Sequence, residues 1–262
     1  GAESITMPDT ITAIYSNAFT FCNIKNIVLS NNLTVISSNA FAYCNALTDI
    51  SIPNSVQSIE GYAFLDCTSI KELTIPDGIT SIEEQTFEGG TSLGKVKIPD
   101  SVTSIGNYAF NSCSRLSSIT IPSGVTSIGN DAFSGCYSLS NITIPNSMTS
   151  IGSYVFYNCN SLSSIDIPSS VTSIGSSAFY NCNSLSSITI PSSVTTIDRN
   201  AFANCSKLAD VTIESTTKLT YNTNAFQNIA SNAVLRVPSS LVDAYKADSK
   251  WSSAFGGGIV AI

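Results

Sequence analysis

A segment of 23 residues, repeated along almost the whole chain, constrains the fold more than any other feature of the sequence. In residues 116–138, LSSITIPSGVTSIGNDAFSGCYS, the apolar pattern recurs 23 residues later and again after another 23. A fixed period of this length is typical of a solenoid, because single repeats cannot bury their apolar side and must stack. One phenylalanine per repeat marks the spacing, which is 23 residues except for a first step of 22 and a last step of 24: Phe19, Phe41, Phe64, Phe87, Phe110, Phe133, Phe156, Phe179, Phe202 and Phe226.

The first half of each repeat predicts a short strand. Ile119-Thr120-Ile121 alternates apolar and polar residues as a half-buried strand does. Pro122 ends the strand by removing a hydrogen-bond donor. Stacked in register, such strands form a parallel sheet with about 4.8 Å between coils. About ten coils then make a rod or gentle arc on the order of 50 Å long.

The second half of the repeat predicts a second extended segment and a turn. Residues 125–128 supply the extended segment, and Gly129 turns the chain. Ala132, Phe133 and Cys136 then stand at i, i+1 and i+4, a spacing that suits one turn of 3₁₀ or α-helix with the Phe ring pointing inward. The expected fold is therefore a mainly β solenoid of short parallel strands with 3₁₀ or short helical turns.

Composition and charge exclude several classes of function. Only 11% of the residues are charged and the net charge is -7, against about 25% charged residues in a typical soluble domain. An acidic chain lacks the basic surface that nucleic-acid binding requires. No apolar run approaches the roughly 18 residues of a membrane-spanning helix, and no basic amphipathic segment suggests a membrane surface. We therefore expect no nucleic-acid partner and no membrane insertion.

The sequence offers no set of residues for catalysis or metal binding. It contains no His, which removes the Ser-His-Asp triad, the usual general base and imidazole ligands. In the middle coils the only acids are Asp131 and Asp166, which occupy different positions of the repeat. No Cys-x-x-Cys pair suggests zinc. We predict that the chain is not an enzyme and has no cofactor, catalytic residue or metal ligand.

The cysteines are predicted to be free and buried. Equivalent residues of adjacent coils would lie about 4.8 Å apart, whereas a disulfide needs Cβ atoms roughly 3.5–4.5 Å apart. Gly90 replaces Cys in the fourth coil, which divides the column into three and five, and neither run can pair completely. We expect thiols that act as small apolar side chains. The column contains Cys22, Cys44, Cys67, Cys113, Cys136, Cys159, Cys182 and Cys205.

From residue 238 the sequence leaves the repeat. Ser240-x-x-Asp243 resembles a capping box that opens a short helix. The glycines at 256–258 are interpreted as a hinge before a last apolar strand. We therefore divide the chain into a solenoid, 1–237, and a C-terminal capping segment, 238–262.

The first residues already fit the repeat. Ile5, Met7 and Pro8 occupy the positions that Ile-x-Ile-Pro occupies in later coils. A solenoid normally covers its first coil with a polar cap, and the sequence shows none before Ile5. We expect the chain to be a piece of a longer protein, with Gly1 left over from cloning.

Partner binding is predicted for the outward side chains of the strands. These alternate with buried Ile residues and share one face of the sheet, a surface that repeat proteins commonly use for binding. Most of this row is Thr, which strand propensity alone also explains, so the charged departures are the stronger candidates. The predicted partner-binding residues are Glu72, Thr74, Lys95, Lys97, Thr120, Thr143, Asp166 and Thr189.

Tyrosines form partial columns on the repeat. Tyr62, Tyr108 and Tyr154 share one repeat position, and Tyr157 and Tyr180 share another. Exposed aromatic rows stack on sugar rings or anchor a partner; equally, they shield the turn beneath them. Both interpretations stay open at this point.

The repeat resembles a known family. Its pattern Ser-Ile-Thr-Ile-Pro-x-x-Val-Thr-Ser-Ile-Gly-x-x-Ala-Phe-x-x-Cys-x-Ser-Leu is similar to the BspA-like leucine-rich repeats of bacterial cell-surface proteins over about residues 5–237. It departs from the general pattern L-x-x-L-x-L-x-x-N/C-x-L because Gly124 stands at the Asn or Cys position, so no asparagine ladder of the usual kind is expected. The resemblance implies a leucine-rich-repeat solenoid that is secreted and lies outside the cell or on its surface.

Three functions are compatible with these observations. The resemblance implies a non-catalytic adhesion module that presents an extended sheet face to a protein, either a host matrix protein or another cell-surface protein. A surface rich in hydroxyls and amides, with almost no charge in its middle, favours a carbohydrate-binding module instead. The third interpretation is a rigid spacer within a larger surface protein.

Overall fold

The structure, a computed structural model, describes residues 3–262 as a parallel-strand solenoid of about eleven turns with little helix. Gly1 and Ala2 lie outside the described residues. The prediction that Gly1 is left over from cloning concerns one of these two residues. Three hydrogen-bonded ladders run along the stacked coils, two made of short strands and one made of turns. The predicted fold class is confirmed.

The first ladder, here called the front sheet, contains the Ile-x-Ile segments. Ile119 and Ile142 are buried, while Ser118 and Asn141 beside them are exposed. This is the two-residue alternation of a strand with one buried face. Adjacent strands are parallel and in register, with Ser118 opposite Asn141. The strands are β1 (Ser4–Thr6), β3 (Asn26–Val28), β5 (Asp49–Ile50), β7 (Glu72–Thr74), β9 (Lys95–Lys97), β11 (Ser118–Ile119), β13 (Asn141–Ile142), β16 (Ser187–Ile190), β18 (Asp210–Ile213), β19 (Val234–Val237) and β20 (Gly258–Ala261).

The second ladder, here called the side ladder, contains the second extended segment of each coil. It has the predicted parallel register, with Ser104 opposite Ser127 and Ile105 opposite Ile128. Its strands are β2 (Ala13–Ile14), β4 (Val35–Ile36), β6 (Ser58–Ile59), β8 (Ser81–Ile82), β10 (Ser104–Ile105), β12 (Ser127–Ile128), β14 (Ser150–Ile151), β15 (Ser173–Ile174) and β17 (Thr196–Ile197).

Both strand ladders are interrupted. The front sheet consists of four groups, β1-β3-β5, β7-β9, β11-β13 and β16-β18-β19-β20. The coil between β13 and β16 contributes residues 164–166 in an irregular conformation. The side ladder is interrupted between β6 and β8 and again between β12 and β14. The continuous sheet that the sequence predicts is therefore divided into short sheets.

The third ladder, here called the turn ladder, is formed by the turn that carries the Phe and is unbroken. In each coil the N–H groups of three alternate residues donate to carbonyl oxygens of the next coil. In one middle coil the donors are Tyr108, Phe110 and Ser112, and the acceptors lie within 130–134 at 2.7 to 2.9 Å. The same three bonds occur at every interface between the Phe-bearing coils from Phe19 to Phe226. The turn ladder is thus the most regular connection between coils.

The turn is not the helical turn that the sequence predicts. Its hydrogen bonds are of the 3₁₀ type, as in the bond from the Cys113 N–H to the Phe110 carbonyl at 3.1 Å. Two residues of each turn have positive φ, however, 55° at Tyr108 and 60° at Ser112. Left-handed residues stop a right-handed helix from propagating. They also aim alternate N–H groups along the solenoid axis, where the next coil accepts them.

The core is a column of phenylalanines. Rings from Phe19 to Phe226 stack nearly parallel, with centroids of neighbouring rings 5.1 to 5.9 Å apart. Phe133, in the middle, is completely buried. Each ring therefore packs against one from the coil before and one from the coil after, which is how stacking completes a core that no single repeat has.

The thiols form a second column beside the Phe rings. All eight are free; seven are buried and Cys22 is half-buried, which confirms the predicted burial. They are more than small apolar groups, because the Cys136 Sγ donates to the Phe110 carbonyl of the preceding coil at 3.3 Å. Six other coils repeat this bond at 2.9 to 3.2 Å. Burial raises the pKa of Cys113 and of Cys205 to about 12.

The C-terminal segment contains two short helices. A 3₁₀ turn (Ser239–Leu241) leads into α1 (Val242–Lys246), and α2 (Ser249–Ala254) follows. The predicted capping box is wrong, because neither the 3₁₀ turn nor α1 receives a side-chain cap. Asp248 caps α2 instead by accepting from the Lys250 N–H at 3.0 Å.

These helices place aromatic side chains over the last Phe of the column. The rings of Trp251 and Phe255 lie 5.7 and 5.4 Å from that of Phe226. The buried Tyr245 accepts from the Leu219 N–H at 2.8 Å. The last coil is thus covered by aromatic rings rather than by another repeat.

The glycines before β20 are not a hinge. A Cβ atom at Gly256 would lie 2.2 Å from the Ser231 carbonyl oxygen, and one at Gly257 would lie 2.2 Å from that of Asn232. Glycine is needed here so that the two backbones can approach each other. The close approach positions β20 for its parallel pairing with β19.

Candidate functional site

The outward side chains of the front sheet form the candidate binding surface. All eight residues predicted for partner binding are exposed. Glu72 stands opposite Lys95, and Thr74 opposite Lys97, on the paired strands β7 and β9. The structure thus brings together four of the predicted residues in two adjacent coils.

The other four predicted residues are spread along the middle coils. Thr120 and Thr143 directly follow β11 and β13, Asp166 lies in the coil that has no front-sheet strand, and Thr189 is in β16. Their neighbours on the same face are mostly Ser and Asn. This part of the surface is uniform, and the structure adds no feature that selects any one of them.

Charges on the front sheet are paired at its ends and unpaired between them. Lys25 contacts Glu3 at 3.0 Å, and Arg236 contacts Asp210 at 3.0 Å. Among residues 3–262, neither Lys95 nor Lys97 takes part in an ion pair. Their ammonium groups remain available to a partner's carboxylates.

An open groove of about 570 Å³ crosses the front sheet at β3, β5 and β7. Val28 stands at the outward position that Thr holds in later coils, and 57% of its surface is exposed. Sequence reasoning missed Val28, although an apolar residue at this outward position was a readable signal. We call this feature the front groove; it is lined by Asn26, Ile27, Val28, Asp49, Ile50, Ser51, Lys71 and Glu72.

A cluster of tyrosines lies on the turn side of coils six to eight. The rings of Tyr157 and Tyr180 stack with centroids 5.1 Å apart, and Tyr154 meets Tyr157 edge-on at 5.7 Å. Tyr137 and Tyr154 are 48% and 41% exposed. Partial burial, together with the neighbouring phenols, raises the pKa of Tyr157. One predicted column therefore makes ring contacts, and Tyr154 of the other column joins it.

No arrangement suited to catalysis is found in the described part of the chain. Residues 3–262 contain no group of three His, Cys, Asp or Glu side chains that could hold a metal ion. Burial raises the pKa of the Cys113 thiol to about 12, the opposite of what a reactive thiolate needs. Burial also raises the pKa of Glu88 and of Asp131; Glu88 accepts a hydrogen bond from Gln85, and Asp131 accepts from Ser134 and Tyr108.

The helices of residues 3–262 are all too short to cross a bilayer. The longer of the two α-helices, α2, has six residues, whereas a membrane-spanning helix needs about 20.

Comparison with known families assigns the chain to a family of repeat proteins. The model of the BspA-type leucine-rich repeat region matches residues 1–117 and 103–233, with six copies. The chain therefore belongs to the BspA-type leucine-rich repeat family. A search of curated proteins found no match.

Solved structures of bacterial leucine-rich repeat proteins are similar to the chain. A leucine-rich cell-surface protein of Faecalibacterium prausnitzii A2-165 is 30% identical, with a TM-score of 0.54 over 84% of this chain and 78% of that one. A leucine-rich repeat protein of Bacteroides ovatus is 22% identical, with a TM-score of 0.57 over 99% and 83%. The pneumococcal vaccine antigen PcpA is 19% identical, with a TM-score of 0.54 over 99% and 79%. The last two show a shared fold.

Proposed function

We propose that the chain is a non-catalytic adhesion module that binds a protein through its front sheet. The front groove is the observation that carries this proposal. It is an open concavity on a sheet face, and it combines the exposed Val28 with the charged side chains of Asp49, Lys71 and Glu72. Apolar contact area supplies affinity in protein interfaces, and charges of both signs around it select the partner.

The neighbouring coil extends this surface. Lys95 lies opposite Glu72 in the register of β7 and β9, so a basic group follows the acidic groups Asp49 and Glu72 along the solenoid axis. A partner with the complementary order of charges would be held in one register, because like charges placed opposite each other are costly. Host matrix proteins and other cell-surface proteins are the proposed partners.

We also propose a location outside the cell or on its surface. Support comes from the relative in F. prausnitzii, which is a cell-surface protein. Seven of the eight free thiols are buried, and burial raises the pKa of those such as Cys113, which slows their oxidation and makes them compatible with that location.

Binding to immobilised host matrix proteins and bacterial surface proteins tests this proposal. We expect Val28→Asp and Glu72→Lys each to weaken binding of the partner by about tenfold or more, as loss of a central contact does. Thr143→Ala, on the uniform part of the same face, should change it less than about twofold. Biolayer interferometry at two salt concentrations measures both effects, since exposed charge contacts weaken with salt. Equal binding by all three variants would contradict a role for the front groove.

The tyrosine cluster favours carbohydrate binding as a second candidate function. Tyr137 and Tyr154 expose ring surface beside the stacked pair Tyr157 and Tyr180, and aromatic faces stack on the apolar faces of sugars. A glycan array probed with the wild type and with Tyr154→Ala distinguishes this function from protein binding. Tyr62→Ala, outside the cluster, is the matched control. Absence of binding in both the protein and the glycan experiments would leave the rigid spacer as the function.

A further inference from the structure

The turn ladder ends with a row of unused hydrogen-bond donors. In every earlier Phe-bearing coil, the N–H groups two residues before the Phe, at the Phe and two residues after it donate to the next coil. In the last such coil these groups belong to Asn224, Phe226 and Asn228. Among residues 3–262, none of these three N–H groups donates a hydrogen bond to another protein atom. Backbone N–H groups are rarely left without a protein or water partner.

An open groove of about 540 Å³ runs along this row. Its lining from the last coil is Tyr221, Thr223, Asn224 and residues 226–231, and its lining from the C-terminal segment is Lys250, Ser253, Ala254 and Gly256. The Tyr221 hydroxyl donates to the Lys250 carbonyl at 2.7 Å, and the Lys250 ammonium donates to the Tyr221 carbonyl. These bonds fix α2 against the last coil. We call this feature the end groove.

The geometry points to the end groove as a binding site for an extended peptide segment, which would add one more rung of main chain to the turn ladder. The inner coils define the chemistry of this ligand. In a middle coil, residues 130–134 occupy the corresponding place and present alternate carbonyl oxygens to the three donors. At the centre of that segment Ala132 is fully buried. A peptide of about five residues with a small central side chain meets these requirements.

A whole coil of a second copy does not fit the same place. Each Phe ring of the column stacks on a ring of the next coil, but Phe226 is covered by Trp251 and Phe255. The Phe19 ring of an incoming first coil would therefore have to occupy the space of these two side chains. Trp251 and Phe255 therefore leave room for a main-chain segment but not for a complete repeat with its Phe ring.

A single anion is also a poor match for the row. Anion-binding nests use successive N–H groups that converge on one point. Here the donors are alternate residues, Asn224, Phe226 and Asn228, and in every inner coil each equivalent donor has its own carbonyl acceptor. The row is therefore suited to acceptors spaced along a chain. This site lies at the end of the solenoid and is independent of the front groove.

Amide hydrogen exchange tests whether the last row of N–H groups is free of hydrogen bonds in the protein without peptide. We expect the amide of Phe226 to exchange at least about 100-fold faster than that of Phe202, because only the Phe202 N–H donates within the turn ladder. Equal protection of the two amides in the free protein would overturn the proposal.

Peptide binding tests the site itself. The probe is acetyl-Asn-Ser-Ala-Ser-Ser-amide, which is the sequence of residues 130–134 with Ser in place of both Asp131 and Phe133. The Phe is replaced because Trp251 and Phe255 already cover the core. We expect this peptide to shift the amide resonances of Asn224, Phe226 and Asn228 and to slow their exchange. The same peptide with Trp in place of its central Ala should bind at least about tenfold more weakly, since the inner coils leave no room at that position.

Two variants locate the binding. Ser253→Trp should fill the end groove and weaken peptide binding by about tenfold or more. Ser252→Trp is the matched control, because Ser252 is an exposed residue of the same helix that does not line the groove. Equal binding by both variants, or by both peptides, would overturn the proposal. So would shifts of the same three amides caused by inorganic phosphate, which would indicate an anion site, or by raising the protein concentration alone, which would indicate a second copy.

Discussion

Replacing Phe133 by Ala should lower the free energy of unfolding by about 3–5 kcal/mol. The ring is completely buried and lies 5.5 Å from Phe110 and 5.9 Å from Phe156. The truncation therefore leaves a cavity with aromatic walls on both sides, and the hydrogen-bonded coils around it can collapse only partly. Guanidinium unfolding followed by circular dichroism measures the change.

Thr143→Ala is the control for this prediction. Thr143 is exposed on the front sheet, and substitution there should cost less than about 1 kcal/mol. Comparable losses from the two substitutions would mean that the phenylalanine column does not carry the stability that its burial indicates.

The free energy of unfolding should fall steeply when the pH is raised above 9. Burial raises the pKa of the Cys113 thiol from 9.0 to about 12. Because the pKa is higher in the folded state, the stability from this group is complete below pH 9 and is lost as the pH rises toward 12. A single such thiol gives a slope of about 1.4 kcal/mol per pH unit across this window. Burial also raises the pKa of the other buried thiols, including Cys136, Cys159 and Cys182.

Cys113→Ala isolates the contribution of one thiol. The variant should be less stable than the wild type at pH 7, because it loses the bond to the Phe87 carbonyl at 3.2 Å. Its free energy of unfolding should nevertheless fall less steeply above pH 9 than that of the wild type. The difference between the two slopes should be about 1.4 kcal/mol per pH unit. Unfolding curves at pH 8, 9, 10 and 11 show the slope. A wild-type stability that stays constant from pH 9 to 11 would contradict the prediction.

The solenoid fold could be predicted from the sequence because the 23-residue period and the apolar/polar alternation of the strands are compatible with few folds. Ile119 and Ile121 must share one face of an extended chain, and stacking alone completes the core around Phe133. The turn could not be predicted in the same way. Ala132, Phe133 and Cys136 have the same spacing in a helical turn as in a chain of tight turns, and spacing does not report the sign of φ.

Another signal was present at the turn. Asn, Asp or Gly occupies more than half of the positions two residues before and two residues after the Phe, as at Asn200 and Asn204. These types adopt left-handed conformations at low cost. The thiol bonds had no comparable signal, because the carbonyl that accepts from Cys136 belongs to the preceding coil.

The candidate surface was predicted as a face but not as a groove. Alternation alone assigns Glu72, Thr74, Lys95 and Lys97 to the outside of the front sheet. It cannot show where neighbouring coils form a concavity, and of these four residues only Glu72 lines the front groove. Val28 and Lys71 were not among the predicted residues: Val28 is the apolar outward residue of β3, and Lys71 directly precedes β7.

The unequal continuity of the three ladders has a mechanical consequence. The turn edge is bonded without a gap from Phe19 to Phe226, while the front sheet and the side ladder are interrupted at several coils. A load along the axis is therefore borne by the turn edge, which resists stretching. The strand edges have fewer hydrogen bonds between coils at their interruptions, so bending of the solenoid should open these edges and not the turn edge. Such bending should change the width of the front groove without unfolding any coil.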